Sequence, residues 1–198
     1  EERPIFLHFG SVSLTAEPAR SATLEAARRA RELGILLSYD PNYRANLWPD
    51  QETAVARMKE PLSLCHVLKV AEEELELLTG IRDLEAGTRS LYEKYGTPLI
   101  VATLGEGGSF YRLGTSTGQV PAQTVQVADT NGAGDTFLGG LLSRLVRCGG
   151  LEGLTPEKLE RELDFANRAA ALTCTRPGAI PAMPVLDEVT GGREEAAR

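Results

Sequence analysis

Residues 129–135 read Asp-Thr-Asn-Gly-Ala-Gly-Asp and set two opposed demands in one place. Gly132, Ala133 and Gly134 carry little or no side chain, so their backbone N–H groups can come close to a ligand. Apolar residues at Phe137, Leu138, Leu141, Leu142, Leu145 and Val146 follow as one stripe and predict a helix that starts beside the glycines. Such a helix start offers unpaired N–H donors and a partial positive charge, which suits an anion. Asp135 adds a carboxylate at the same end. A phosphate and a carboxylate share that end when a hydroxyl lies between them. The proton then goes to Asp135, and the charge growing on a transferred phosphoryl group goes to the amides. Phosphoryl transfer runs through a loose transition state, so a weak base with good positioning suffices. A plain glycine turn capped by Asp or Thr uses the same letters.

The elements around this stretch alternate. "IFLHFG" and "ILLSYDPN" are apolar runs on either side of a helical pattern at Ala22, Leu24, Ala27, Ala30 and Leu33, stopped by Gly34. "HVLKV" leads into the acidic helix start of "AEEELELLTG", with Gly80 at its end, and "LEAGTRSLYEKYG" precedes the strand-like "PLIVATLG". "GSFYRL" and "QTVQV" read as antiparallel strands, and "TPEKLERELDFANRAAALTCT" as a long helix. Strands alternating with helices predict an α/β fold with a mostly parallel sheet covered on both faces. Ligands in such sheets gather beyond the carboxyl ends of the strands. The loops "GSVS", "DPNYR", "AEEE" and "LGEGG" fall there.

With 198 residues and hydrophobic content of 42%, the chain is expected to make one domain over residues 1–190, followed by a solvated, disordered tail at 191–198. The net charge of −7 without a basic cluster argues against nucleic acid and membrane surfaces as partners. Cys65, Cys148 and Cys174 lack metal-ligand spacing and are expected to be buried, reduced thiols in a cytoplasmic protein. The "LGEGG" loop is followed by strand rather than helix, so it fails as a dinucleotide fingerprint. His8, His66 and Trp48 read as structural. Lys69 is either a solvated strand tip or a site residue, and Arg176 either caps a helix or touches a ligand. Taken alone, Glu72, Glu73 and Glu74 read as a solvated first turn.

"DTNGAGDTF" closely resembles the C-terminal signature of the ribokinase-like (PfkB) carbohydrate kinases. "HFGSVSL", "LLSYDPNYRANLWP", "LKVAEEELELLTG", "VATLGEGGSFY" and "FANRAAALTCTRPGAIPAMP" resemble fructokinase segments in the order that family has them. The resemblance implies a ribokinase-like fold and ATP-dependent transfer to the 6-hydroxyl of fructose. The other readings are a kinase for another sugar, a nucleoside or 2-keto-3-deoxygluconate, and a chain that binds nucleotide without turnover. By resemblance, Asp135 is the base and the amides of Gly132, Ala133 and Gly134 form the anion hole. Glu74 organises Mg2+ through water. Thr103, Gly105 and Gly108 hold the nucleotide, with Asn167 beside the adenine and Arg44 toward phosphate oxygens. Asp129, Asn131, Thr173 and Gly178 mark a monovalent cation site, K+ in kind. Family members often dimerise through a lid, which implies a homodimer for a full-length protein. Ala71 stands where the family often has asparagine, and Asn131 where threonine is usual. The family's N-terminal strands and lid have no counterpart here, so the chain is expected to be the C-terminal portion of such a kinase.

Overall fold

The computed structural model describes residues 4–192. The chain divides into two compact units, one of residues 1–103 with 110–118, the other of 104–109 with 119–198. One sheet of six strands runs in chain order: β1 Phe6–Gly10, β2 Leu36–Asp40, β3 Val67–Ala71, β4 Leu99–Thr103, β5 Ser109–Leu113 and β6 Ser116–Val120. β1 to β4 are parallel. β4 reaches β5 through five residues and β5 reaches β6 through two, links too short for a parallel crossover. The Gly114 N–H reaches Pro98 O at 2.9 Å, joining the end of β5 to the residue that precedes β4, as an antiparallel pair requires.

In the first unit, α1 (Ala19–Glu32) links β1 to β2, and α2 (Gln51–Lys59) links β2 to β3. α3 (Glu72–Thr79) and α4 (Leu84–Tyr95) link β3 to β4. Strands in chain order with right-handed crossovers place these helices on one face of the unit's strands. Ala27 and Ala30 of α1 pack on Leu37, with Leu7, Phe9, Ile35 and Leu64 around them. Strand alternation turns His8, Ser38, Asp40 and Lys69 to the opposite face, where His8 Nδ1 meets Ser38 Oγ at 3.2 Å. His66 Nδ1 accepts from the Leu37 N–H at 3.0 Å, and Trp48 is buried, so all three residues read as structural have structural contacts.

Helix ends follow local chemistry. Gly80 and Gly96 close α3 and α4 in the left-handed conformation, which costs glycine no Cβ strain. Asp50 caps α2, accepting from the Thr53 N–H at 2.6 Å. α2 has a faint sequence signal because only Ala54 and Met58 are buried along it.

The second unit holds α5 (Ala133–Arg147), α6 (Pro156–Cys174) and the short α7 (Leu186–Thr190). α5 lies against α6. A Cβ on Gly140 would stand 3.5 Å from Ala166 Cα, and the buried Thr173 and Thr136 hydroxyls meet at 3.0 Å. Arg144 Nε donates to Glu162 Oε2 at 2.5 Å, its guanidinium 5.0 Å over the Phe165 ring.

Three expectations are corrected. Residues 123–127 form no strand; the hairpin partner of β5 is "STGQV". Gly118 in it is covered by Tyr111, whose ring a Cβ would meet at 2.7 Å, so an aromatic neighbour replaces the missing side chain. The α5 stripe buries Phe137, Leu138, Leu141 and Leu145, whereas Leu142 flanks it and Val146 is 42% exposed. Of the cysteines, Cys65 alone is buried, with its thiol pushed well up by desolvation, while Cys148 is exposed and Cys174 half-buried. The tail proposed at 191–198 lies outside the described residues from 193 onward.

Candidate active site

The opening motif forms a sharp turn into α5. Gly132 is the N-cap in left-handed conformation at φ 79°, a geometry that favours glycine. A Cβ there would also press Ala179 Cα at 3.1 Å. The Ala133 N–H reaches Thr130 O at 3.3 Å, while the amides of Gly132, Gly134 and Asp135 have no acceptor among the described residues. The free donors at the helix start are thus Gly132 and Gly134, named from sequence, and Asp135 itself, whose amide was not. The Asp135 side chain is exposed and forms no ion pair among the described residues. The first turn therefore presents open N–H donors and an unpaired carboxylate together.

The approach to the turn is tied down by Asp129. Its Oδ2 accepts from the Gly178 N–H at 2.9 Å and its Oδ1 from the Asn131 N–H at 3.0 Å. Those bonds hold its carboxyl below the ordinary carboxylate range. A depressed pKa means stability that is present above the unfolded pKa and lost as pH falls through the folded one. Asp129→Ala is accordingly expected to lower the melting midpoint at pH 7. The gap to wild type should narrow below about pH 4, as thermal unfolding at both pH values would read. A gap that stays constant would mean that the carboxylate's charge is not the tie.

The remaining proposed cation residues differ in what is left to give. Thr173 spends its hydroxyl on Thr136 and Ala169 O, and its carbonyl accepts from Arg176. Arg176 itself pairs with Glu188. Gly105 at φ 56° and Gly108 at φ 87° make the tight turn before β5. Asn167 is buried on α6, its Nδ2 donating to Val120 O at 3.0 Å and Ser109 Oγ at 3.2 Å.

The first unit carries a separate polar group at its strand ends. Lys69 Nζ meets Asp40 Oδ2 at 2.9 Å, with both side chains buried, which excludes the solvated-tip reading of Lys69. Asp40 Oδ1 accepts from the Asn42 N–H at 3.0 Å, and Asn42 takes φ 46°, a conformation Asn tolerates. Glu74 is buried rather than solvated. Its Oε1 accepts from the Tyr43 N–H at 2.6 Å and its Oε2 from the Ala71 N–H at 2.8 Å, and burial raises its pKa. Glu74 therefore staples the "DPNYR" loop to the start of α3. Arg44 on that loop is exposed, its Nη1 donating to Tyr43 O at 3.2 Å. Thr103 ends β4, its hydroxyl 3.4 Å from Val70 O. No three His, Cys, Asp or Glu side chains among the described residues group to hold a metal ion.

A mixed six-stranded sheet flanked by helices is the ribokinase-like architecture of solved fructokinases. The fructokinase of Vibrio cholerae O395, crystallised with fructose, ADP and calcium ion, superposes with a TM-score of 0.88 at 32% identity. That match covers 96% of this chain and 61% of that one. Aminoimidazole riboside kinase from Salmonella enterica, complexed with aminoimidazole riboside and an ATP analog, gives 0.84 at 32%, covering 94% and 61%. The model of the pfkB family of carbohydrate kinases matches residues 2–186, and the chain belongs to that family. Fructokinase-1 of Oryza sativa subsp. japonica is 42% identical over 196 residues, and fructokinase-1 of Zea mays 42% over 189. Those matches cover 98% and 95% of this chain, but 60% and 58% of the relatives' own length.

Proposed function

We propose that this protein works as an ATP-dependent fructokinase, transferring the γ-phosphoryl group of ATP to the 6-hydroxyl of fructose. One observation carries the reading. The exposed, unpaired Asp135 carboxylate and the acceptor-free amides of Gly134 and Asp135 share the first turn of α5. Asp135 takes the proton of the sugar hydroxyl as that oxygen bonds to the γ-phosphorus. The bond from the γ-phosphorus to the β–γ bridging oxygen breaks, ADP leaves, and the amides stabilise charge on the phosphoryl oxygens. The family's carbohydrate acceptors and the fructokinase relatives support this choice.

Gly105, Gly108 and Thr103 are kept for the nucleotide and Arg44 for a phosphate oxygen, its guanidinium forming no ion pair among the described residues. The donor set fits a magnesium ion carried mainly by the nucleotide's phosphates, since no group of three His, Cys, Asp or Glu among the described residues is placed to hold it alone. Bound there, it would offset phosphate charge. Glu74, each oxygen already accepting one backbone amide, would reach it through water. For a potassium ion, held largely through backbone carbonyls, Thr173 is the weakest of the four candidates, since its carbonyl already accepts from the Arg176 N–H. The three free cysteines fit work in the reducing cytoplasm.

The likeness to aminoimidazole riboside kinase supports a second reading, a riboside acceptor. Coupled ADP release separates the two in one panel of fructose, aminoimidazole riboside and 2-keto-3-deoxygluconate. The highest kcat/KM is expected with fructose. A preference for the riboside would replace the acceptor, and release with none of them would overturn the assignment for this chain.

A further inference from the structure

Asn167 is only 4% exposed, and the family resemblance sets its position beside the adenine. Its Nδ2 donates to Val120 O at 3.0 Å, Ser109 Oγ at 3.2 Å and Pro121 O at 3.4 Å. An amide nitrogen carries two hydrogens, so its donors are spent within the protein. The groups it serves lie on two segments of the second unit. Ser109 directly follows the Gly105–Gly108 turn, and Val120 and Pro121 lead out of β6. Those segments also meet at Gly108, where a Cβ would stand 2.1 Å from Val120 O and 2.6 Å from Ala122 N. Gln119 Nε2 adds a bond to Gly107 O at 3.2 Å. The glycine turn and the exit of β6 thus form one close joint, and Asn167 is the buried side chain that bridges it.

We propose that Asn167 is a positioning residue for the nucleotide turn, tying residues 105–109 to 120–122, and that it acts through this tie and not by a hydrogen bond to the nucleotide base. The inference rests on the kinase reading above. α6 suits the task because its seam with α5 fixes it through Thr173 and Thr136, and a site held from a rigid helix keeps its geometry better than one held by loops. Without the amide, the Val120 and Pro121 carbonyls lose a donor and the turn loses its fixed shape. A ligand of that turn then weakens whatever base it carries. A residue that reads adenine would behave differently: its loss would weaken ATP more than GTP.

The test is calorimetric titration of the intact chain with MgATP and MgGTP, in wild type, Asn167→Ala and Ser109→Ala, with circular dichroism confirming the fold. Asn167→Ala should weaken both nucleotides by about tenfold, with their affinity ratio unchanged within about twofold. Ser109→Ala removes one acceptor and should weaken both less, again at constant ratio. If Asn167→Ala does not fold, the Ser109→Ala ratio decides. A ratio altered by more than about fivefold, as a base contact through Oδ1 would give, overturns the proposal, and so does unchanged affinity for both. Wild type binding neither nucleotide would instead overturn the kinase reading itself.

Discussion

Asp135→Ala is expected to bind nucleotide almost as wild type does while its kcat with sugar falls by at least about a hundredfold, the low end for losing a general base. The split follows from the two parts of the turn. Nucleotide binding draws on backbone amides, and the substitution keeps the amide of residue 135. Helix geometry is also safe, because Asp135 is exposed and makes no ion pair among the described residues. What disappears is the acceptor for the hydroxyl proton, and that acceptor matters only as the bond to phosphorus forms. The effect should therefore sit in kcat, with KM for ATP little changed. Steady-state kinetics beside a nucleotide titration reads both halves. Near-normal turnover would remove Asp135 as the base, and lost nucleotide binding would mean that the carboxylate organises the turn rather than the chemistry.

Lys69→Met is expected to cost about 3–5 kcal/mol of folding stability, the range for stripping one partner from a buried ion pair. Side-chain exposures of 7% for Lys69 and 5% for Asp40 leave little water to stand in for the ammonium. The stranded Asp40 carboxylate keeps one compensating bond, from the Asn42 N–H. Adding Asp40→Asn removes the uncompensated charge and retains an acceptor for Asn42, so the double variant should recover much of the loss. Urea unfolding of the three variants against wild type gives the cycle. A single-variant cost under about 1 kcal/mol would place the pair among solvated ones. The same cycle reports on the loop that carries Arg44, since Asp40 and Glu74 both hold it.

Periodicity and punctuation carried most of the fold into view. Gly34 and Gly80 stop helices where the sequence says they should, and each adopts positive φ. "QTVQV" misled because it alternates like a strand, although Pro121 precedes it. The true partner "STGQV" is polar and holds a glycine, and it forms a strand because the two-residue turn at Gly114 folds it back onto β5 and Tyr111 covers Gly118. α2 escaped notice because its buried residues are just Ala54 and Met58, yet the Asp50 to Thr53 spacing was a readable cap.

At the candidate site the glycine turn and Asp135 were legible as a motif, although an acid in the first turn of a helix is common in itself, as Glu52 and Glu85 show. The roles of buried polar groups were not legible. Glu74 looks like a solvated first-turn acid in sequence, and only its reach to the Tyr43 amide, distant along the chain, reveals a staple. The Lys69 pairing and the Asn167 bridge depend in the same way on which strands and turns the fold brings side by side.

Amide chemical-shift titration of the isotope-labelled chain, with a non-hydrolysable ATP analogue and separately with ADP, tests the anion cradle most directly. The Gly134 and Asp135 amides should move with the analogue and far less with ADP, because the group they hold is the terminal phosphate. Analogue binding that shifts other amides and leaves those two in place would contradict the account.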